Sequence, residues 1–344
     1  MPPFTIARPK ATFAFKHVQE RPLLLDVYAA EGTAGGPRPA ILHFHGGGLI
    51  SGDRTFVPPW LVAAALHRDW LVISADFRCL PESTGAELAE DLRDAYDWLA
   101  RGGGGASKDL PDRPIDPARI AVVGGSGGGY CALLGGAELF RDPAPVAIFM
   151  LYPLSDPAWP TYLAGPGFER RGVMGHAVED AAPTLAEIEE RIARGECSFG
   201  EAFQPKADMS RHGRWPYMRF VLQEGLVADY LTGVRGMAAK IREEGVEKAV
   251  PEHLRHLFPA EFGVHKELSP LIIWHGTADA VIDIAQSEKL VAKCKEVEAV
   301  VHFFAVEGAQ HGFDFAYVDV EGSKDKKPGE SELEKCIQAL EQYM

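Results

Sequence analysis

One stretch constrains this chain's fold more than any other: Val122 to Tyr130, which reads V-V-G-G-S-G-G-G-Y. A β-rich run, Ile120 to Val123, enters a glycine cluster that holds one serine, and the helix formers Ala132, Leu133 and Leu134 follow. Strand, tight turn and helix are expected in that order. Gly124, Ser126 and Gly128 satisfy G-x-S-x-G, the nucleophile elbow, in which a serine on a sharp strand-to-helix turn holds its hydroxyl clear of the sheet. The flanking glycines answer a steric demand, because a side chain at either position would collide with a neighbouring strand or helix. The helix N-terminus next to the serine offers free N–H groups and the positive end of the macrodipole to developing negative charge. An acyl-transfer nucleophile requires that environment.

Other readings of the glycines fare worse. The dinucleotide pattern G-x-G-x-x-G written from Gly125 places Tyr130 at its third glycine. The looser form Gly127, Gly129, Ala132 lacks an acidic residue about 20 positions later to hold a ribose. A phosphate loop needs Gly-Lys-Ser/Thr, and no lysine is present. A purely structural turn remains as the alternative, and three further stretches bear on it.

With 344 residues, the chain suits one large domain with an inserted subdomain. A formal charge of −14 argues against nucleic acid and anionic membrane surfaces, both of which attract basic patches. The five cysteines Cys79, Cys131, Cys197, Cys294 and Cys336 are widely spread without a C-x-x-C pair, and read as reduced thiols. Met1 to Lys16 lacks the apolar core and small-residue cleavage site of a secretory signal. No apolar run approaches the ~18 residues of a membrane span. The cytoplasm is the expected compartment.

Taken in order, Thr12 to Val18 and Leu23 to Tyr28 are β-rich runs split by a Glu-Arg-Pro turn and read as an antiparallel pair. Ala40 to His45 is a third strand that runs into His45-Gly46-Gly47-Gly48. Glycines there leave backbone N–H groups unscreened, as an oxyanion-binding loop must. Pro59 to Arg68 reads as a helix and Leu71 to Phe77 as a buried strand. Glu87 to Arg101 sets Leu88, Leu92, Tyr96 and Leu99 on one face at helical spacing, with Glu90, Asp91, Arg93, Asp94 and Asp97 largely elsewhere. Gly102 to Pro117 is a glycine- and proline-rich surface loop, and Val146 to Tyr152 a buried strand stopped by Pro153.

From about Ser155 to Leu268 the alternation of strand and helix stops. Thr184 to Arg194, Tyr217 to Leu231, Gly236 to Glu244 and Pro251 to Phe258 read as helices, so 155–268 is a helical lid inserted into a core of 1–154 and 269–344. Trp159, Tyr162, Phe168, Phe199, Phe203, Trp215, Tyr217, Phe220 and Tyr230 could line an apolar pocket beneath it. For most of them the preferred reading is a small core of the insert's own. Gly165, Gly167 and Gly172 are candidate hinges. The sheet pattern resumes with Leu271 to Trp274, then His275-Gly276-Thr277-Ala278-Asp279, a helix Ile284 to Lys295 and a last strand Val300 to Val306. Glu307 to His311 is a loop and Gly322 to Glu330 a solvated one. Ser331 to Met344 closes the chain as a helix, where Ser331 and Glu334 fit a capping box. The order predicts an α/β fold, with a mostly parallel sheet of about eight strands and helices on both faces.

In open α/β sheets, functional groups gather at the carboxyl ends of the strands. Gly46 to Gly48, Ser126, Asp279 and His311 each closely follow a predicted strand, and the order nucleophile, acid, histidine is that of the α/β-hydrolase fold. The chain resembles the hormone-sensitive-lipase-like esterase group of that fold. His45-Gly46-Gly47-Gly48 matches the group's H-G-G-G loop, and Asp76-Phe77-Arg78-Cys79-Leu80-Pro81-Glu82 resembles its D-Y-R-L-A-P-E segment. His275 to Asp279 and Gln310-His311-Gly312-Phe313 match its acid and histidine segments. The similarity covers 40–154 and 269–315 and leaves the insertion unmatched. Gly127 stands where the group usually has alanine, and Gly125 where it usually has an acidic residue. The long insert also lies late in the chain, whereas many members build much of their cap from the N-terminus.

The resemblance implies that Ser126 attacks a carbonyl, that His311 takes its proton and delivers it to the leaving group, and that Asp279 orients and stabilises the imidazolium. Backbone N–H groups of Gly127 and of Gly46, Gly47 and Gly48 would hold the oxyanion, each contributing about 3 kcal/mol at the transition state. No metal or organic cofactor is required. Asp283 is a rival acid, but Asp279 directly follows the strand and its glycine turn. His43 and His275 read as structural, His45 as a brace for the oxyanion loop, Asp76, Arg78 and Glu82 as a scaffold ion network, and Cys131 as packing. The implied activity is hydrolysis of a carboxylic ester or lactone, with an apolar or aromatic small-molecule substrate. Alternatives are N-formyl amide hydrolysis, as in the related kynurenine formamidases, and cyclisation or dehydration of a natural-product intermediate by the same nucleophile. A further class is a binding protein on a retired scaffold, like the gibberellin receptors, which lack the histidine retained here as His311. No sequence feature sets the oligomeric state.

Overall fold

Period-two alternation sorts the sheet residues into two apolar layers. The computed structural model describes residues 8–30, 35–101, 114–163, 176–202, 213–318, 327 and 329–344. Its strands are β1 (Ala11–Val18), β2 (Arg21–Tyr28), β3 (Arg38–Phe44), β4 (Leu71–Ala75), β5 (Ile115–Gly125), β6 (Ala147–Leu151), β7 (Leu271–Gly276) and β8 (Val301–Val306). They form one eight-stranded sheet in the order β1-β2-β4-β3-β5-β6-β7-β8. The β1–β2 and β2–β4 pairs are antiparallel and all others parallel. The helices are α1 (Pro59–His67), α2 (Gly85–Ala100), α3 (Gly127–Leu134), α4 (Ala182–Ala193), α5 (Trp215–Gln223), α6 (Val227–Thr232), α7 (Met237–Glu244), α8 (Val246–Ala249), α9 (Pro259–Phe262), α10 (Ala285–Glu296) and α11 (Glu330–Glu341).

Leu42, Phe44, Val122, Met150 and Ile273 enter one layer, closed by α2, α3, α10 and the helices between β6 and β7. Ile41, Val123, Phe149, Ile272 and Trp274 enter the other, closed by α1 and α11. Each large apolar side chain fully buried this way contributes about 1.5–3 kcal/mol. A one-residue slip would exchange the layers, so the register is strongly held.

Local chemistry moves several boundaries from their expected places. The hairpin turn is Gln19–Glu20, both at positive φ (49° and 63°), and Arg21 and Pro22 already belong to β2. Pro22 is tolerated because β4 pairs only with Leu25 to Tyr28, so its missing N–H breaks no bond to β4. Helix α2 begins at Gly85, capped by Thr84, whose hydroxyl and backbone N–H exchange hydrogen bonds with Glu87. The single helix expected over Tyr217 to Leu231 is two, α5 and α6, divided at Gly225 with φ 65°. Glu252–Leu257 is a 3-10 turn instead of an α-helix. The Ser331–Glu334 capping box is absent: α11 starts one residue earlier behind Gly329 (φ 87°), and the Ser331 hydroxyl donates to Glu332.

Residues 155–268 lie between β6 and β7. The expectation of a separate core for this insert is overturned: Tyr162, Trp215, Tyr217 and Tyr230 share one apolar layer with Leu42 and Phe44 of the sheet. Phe199 is buried with the Arg21 guanidinium over its ring, and Phe220 and Trp159 are buried and partly buried. Phe168, Phe203, Gly165, Gly167 and Gly172 lie outside the described residues, as do most of the Gly102–Pro117 and Gly322–Glu330 loops. No helix among the described residues is long and apolar enough to cross a membrane.

Candidate active site

The turn between β5 and α3 is dictated by backbone collisions. A Cβ at Gly124 would lie 2.0 Å from the Gly128 carbonyl oxygen, and one at Gly128 would lie 2.0 Å from the Phe44 carbonyl oxygen of β3. Only glycine lets the new helix leave the strand this sharply. Ser126 stands between them at φ 55°, ψ −121°, a conformation L-residues rarely adopt. Its N–H donates to Leu151 and its carbonyl accepts from Gly129 and Leu154 N–H, which over-determine the strained residue.

Two loops at the carboxyl edge meet the serine. The His311 Nε2 lies 3.1 Å from Ser126 Oγ, and its Nδ1 lies 2.7 Å from Asp279 Oδ2. A carboxylate only accepts, so Nδ1 carries the proton and Nε2 presents its lone pair to the serine hydroxyl. Asp279 Oδ1 accepts from the N–H groups of Val281 and Ile282. Burial works against its charge, but hydrogen bonds from His275, His311 and Ile282 outweigh that and hold the carboxyl well below the usual range. The acid and histidine loops are braced against each other. Thr277 Oγ1 accepts from Gly308 N–H, and a Cβ at Gly276 would lie 2.2 Å from the Ala309 carbonyl oxygen.

The glycine loop after β3 faces the start of α3. A Cβ at Gly127 would meet Leu49 N at 2.7 Å and Gly48 N at 2.9 Å, which gives a steric reason for glycine where alanine is usual. Gly46 lies on Ser126, with the serine Cβ 3.5 Å from where its own Cβ would stand. Gly47 and Gly48 adopt φ of 108° and 62°, and the Gly47 carbonyl accepts from Ile50 and Ser51 N–H to close the loop. Gly127 opens α3, where first-turn N–H groups lack intrahelical partners. The carboxyl edge thus carries Ser126, His311, Asp279 and the Gly46–Leu49 and Gly127 backbone together. Leu49, whose backbone N lies beside Gly127, was not singled out in the sequence, because its side chain gives no hint of its backbone's position.

His45 braces this loop: its Nδ1 bonds the Gly46 carbonyl at 2.8 Å and its ring stacks on Phe77 at 4.2 Å. Burial lowers it to about 4, and lowers His43, which bonds Ser74 Oγ, to about 3. Asp283 accepts from Ala285 N–H at the head of α10. Cys131 is fully buried. Asp76, Arg78 and Glu82 make ion pairs, but with three separate sets of partners instead of one network. Asp76 binds Arg54, Arg78 binds Asp91, Glu87 and Glu90, and Glu82 binds Arg214 and Arg191.

Sequence reasoning missed two contacts here. Behind His311, the Tyr152 ring packs edge-on at 4.6 Å, and its hydroxyl donates to the buried Asp314, which also accepts from Trp60 Nε1. From the insert, Arg214 donates to the carbonyls of Ile50 (2.5 Å) and Leu80 (2.7 Å) as well as to Glu82, and Met218 one turn on lies over Gly48. Tyr152 was legible only as the residue closing a strand, and the Arg214 contacts span more than a hundred residues.

Comparison with known proteins agrees with this architecture. A family model described as the alpha/beta hydrolase fold matches residues 41–173. Probable carboxylesterase M8 of Phoma sp. is 34% identical over 139 residues, covering 36% of this chain and 41% of that protein. The non-reducing polyketide synthase pkbA of Emericella nidulans is 26% identical over 336 residues, covering 90% of this chain and 13% of the synthase. The chain thus spans well under half the length of these curated relatives. An esterase structure from Thermogutta terrifontis superposes with a TM-score of 0.53 at 18% identity, covering 97% of this chain and 92% of that one. The chain has the α/β-hydrolase fold, and the matches support the hormone-sensitive-lipase-like esterase group that its motifs resemble.

Proposed function

We propose that the protein is a serine hydrolase that cleaves a carboxylic ester or lactone through an acyl-enzyme. The reading is carried by one observation, the hydrogen-bonded line Ser126 Oγ, His311, Asp279 at 3.1 and 2.7 Å. Ser126 Oγ bonds to the substrate carbonyl carbon while His311 Nε2 takes the hydroxyl proton. The oxyanion that forms is held by N–H groups of the Gly46–Leu49 loop and Gly127. Collapse breaks the bond to the alkoxy group, which leaves with the proton from His311. Water, deprotonated by the same nitrogen, then releases the acid and restores Ser126. Asp279 keeps the imidazole in its productive tautomer. The insertion 155–268 serves as a lid, with Met218 and the buried aromatics giving the acyl side an apolar wall. The substrate is accordingly an apolar or aromatic small molecule, and the cytoplasm is the proposed compartment.

A second reading is favoured by the extent of the polyketide synthase matches, which run over 84 to 92% of the chain in four of them, insertion included, whereas the carboxylesterase match covers 36%. Here the acyl group is of polyketide type and the acyl-enzyme is attacked by a nucleophile of its own chain, so that it cyclises instead of taking up water. The test is turnover of p-nitrophenyl esters from acetate to long acyl chains by the wild type and Ser126→Ala. Short-ester turnover that falls by roughly four to six orders of magnitude in the variant supports the hydrolase. A folded wild type inert toward every ester overturns general esterase activity and directs the search to acyl thioesters, lactones and N-formyl amides.

A further inference from the structure

His275 lies at the end of β7, four residues before Asp279, and is fully buried. Its Nε2 lies 3.1 Å from the Ile282 carbonyl oxygen and 3.3 Å from Asp279 Oδ2. Its Nδ1 lies 2.8 Å from Ser287 Oγ, on the first turn of α10. Both neighbours of Nε2 are acceptors only, so Nε2 carries the proton and shares it between them, while Nδ1 faces a hydroxyl able to donate to it. The oxygen reached by this N–H is the oxygen that receives Nδ1–H of His311.

We propose that His275, fixed by Ser287, is a positioning residue for His311: its Nε2–H competes with the His311 Nδ1–H for one oxygen of Asp279, and so sets how strongly that carboxylate holds the imidazolium. The inference rests on the serine-hydrolase reading for its catalytic meaning. The physical cause is simple. Each donor that a carboxylate accepts spreads its charge, and an anion whose charge is already shared attracts a further cation less. Asp279 takes four donors, two from backbone N–H groups and two from histidine rings. Without His275, Oδ2 is left to His311 alone and holds the imidazolium more strongly. General-base action needs the neutral ring, and the line Ser287, His275, Asp279 favours it by drawing charge away from Oδ2. The other titratable groups facing this assembly are Tyr152 and Asp314 behind His311, and Tyr162, Asp156 and Asp283 on the side of the insert and α10.

The test compares His275→Asn with His275→Gln. A glutamine amide nitrogen reaches the place of Nε2 and keeps the donor to Asp279, whereas the shorter asparagine reaches only the place of Nδ1. The His311 ring is titrated by NMR, its signal identified by loss in His311→Gln. We expect the midpoint to rise by roughly half a pH unit or more in His275→Asn and to stay near the wild-type value in His275→Gln. Ser287→Ala removes one hydroxyl from α10 and is expected to move it in the same direction by less, and it serves if His275→Asn does not fold. Equal midpoints in wild type, His275→Asn and Ser287→Ala, or an equal rise in both position-275 variants, overturn the inference. Packing loss alone would lower stability without separating asparagine from glutamine in this order. The titration reads His311 directly, so it stands apart from the serine-hydrolase reading, which fails separately if the wild type turns over no acyl substrate.

Discussion

A methyl group added at Gly124 or Gly128 would stand 2.0 Å from a backbone oxygen, whereas one added at Gly195, Gly236 or Gly245 meets nothing within 4 Å. The first two lie at the carboxyl edge of the sheet and the other three in the insertion. At the edge the main chain itself is the packing surface, and strand, turn and helix approach so closely that the sequence has no choice. In the insertion these three glycines serve only a positive φ, and the segment is held by two short backbone bridges, Gly52–Glu201 and Cys79–Ser198, and by side chains. Among the side chains, Arg214 and Arg191 of the insertion meet the fully buried carboxylate of Glu82 outside it. Backbone contact fixes geometry to fractions of an ångström, as a reaction centre needs. Ion pairs between long side chains fix docking, and leave the surface around them free to differ.

The contrast can be broken or sharpened at several points. The largest effect is expected from Gly128→Ala, which cannot keep α3 against β3; circular dichroism and soluble yield should report loss of the native fold. Asp279→Asn should keep the fold and lower kcat by about ten-thousand-fold through the wrong His311 tautomer, while Asp283→Asn stays within a few-fold of wild type; equal losses would break the assignment. Arg214→Met leaves the Glu82 carboxylate buried with only Arg191, at a cost of about 3–5 kcal/mol in urea unfolding. Adding Glu82→Gln should recover much of that loss, since the two changes share one interaction.

Acid should act on the edge more mildly. His43 and His45, held neutral by burial with values lowered to about 3 and about 4, refuse protons that the unfolded chain accepts below about pH 6.5. Stability therefore falls as pH drops through that window, by about 1.4 kcal/mol per unit for each histidine. Asp76, which burial raises to about 6 against the pull of Arg54, works in the opposite direction, because the folded state takes up its proton first. The net fall between pH 6 and 5 is then that of about one histidine, about 1.4 kcal/mol, and Asp76→Asn should steepen it. A flat stability profile in Asp76→Asn would contradict this balance. A stability effect of similar size is expected from Gly236→Ala, about 1–2 kcal/mol for a left-handed residue, with activity unchanged.

What could be read from the sequence follows the same division. The elbow, the glycine loop and the acid and histidine loops were legible because close backbone approach demands glycine at set distances from one functional residue. The succession of strands and helices along the chain followed from alternation and from the spacing of crossover helices, whereas their order in the sheet did not. The insert's packing was not legible, because amphipathic helices say which face is apolar and not what covers it; its aromatics joined the sheet's own layer. Gly225 splits α5 from α6 at a site where composition alone still favours helix. Ser331 lies inside α11, which begins at Glu330, so its hydroxyl donates to Glu332 and caps nothing, and the turn at Gln19–Glu20 formed from residues that seldom take positive φ. The Tyr152–Asp314–Trp60 contact behind His311 joins residues 60, 152 and 314, and no local pattern announces such a meeting.

The central claim, that Ser126 is an activated nucleophile, is tested most directly by reaction with a fluorophosphonate followed by peptide mass spectrometry. We expect one adduct, on Ser126, formed rapidly by the wild type, greatly slowed in His311→Gln and absent in Ser126→Ala. A folded wild type that forms no adduct, or one that labels at the same rate without His311, would contradict the account.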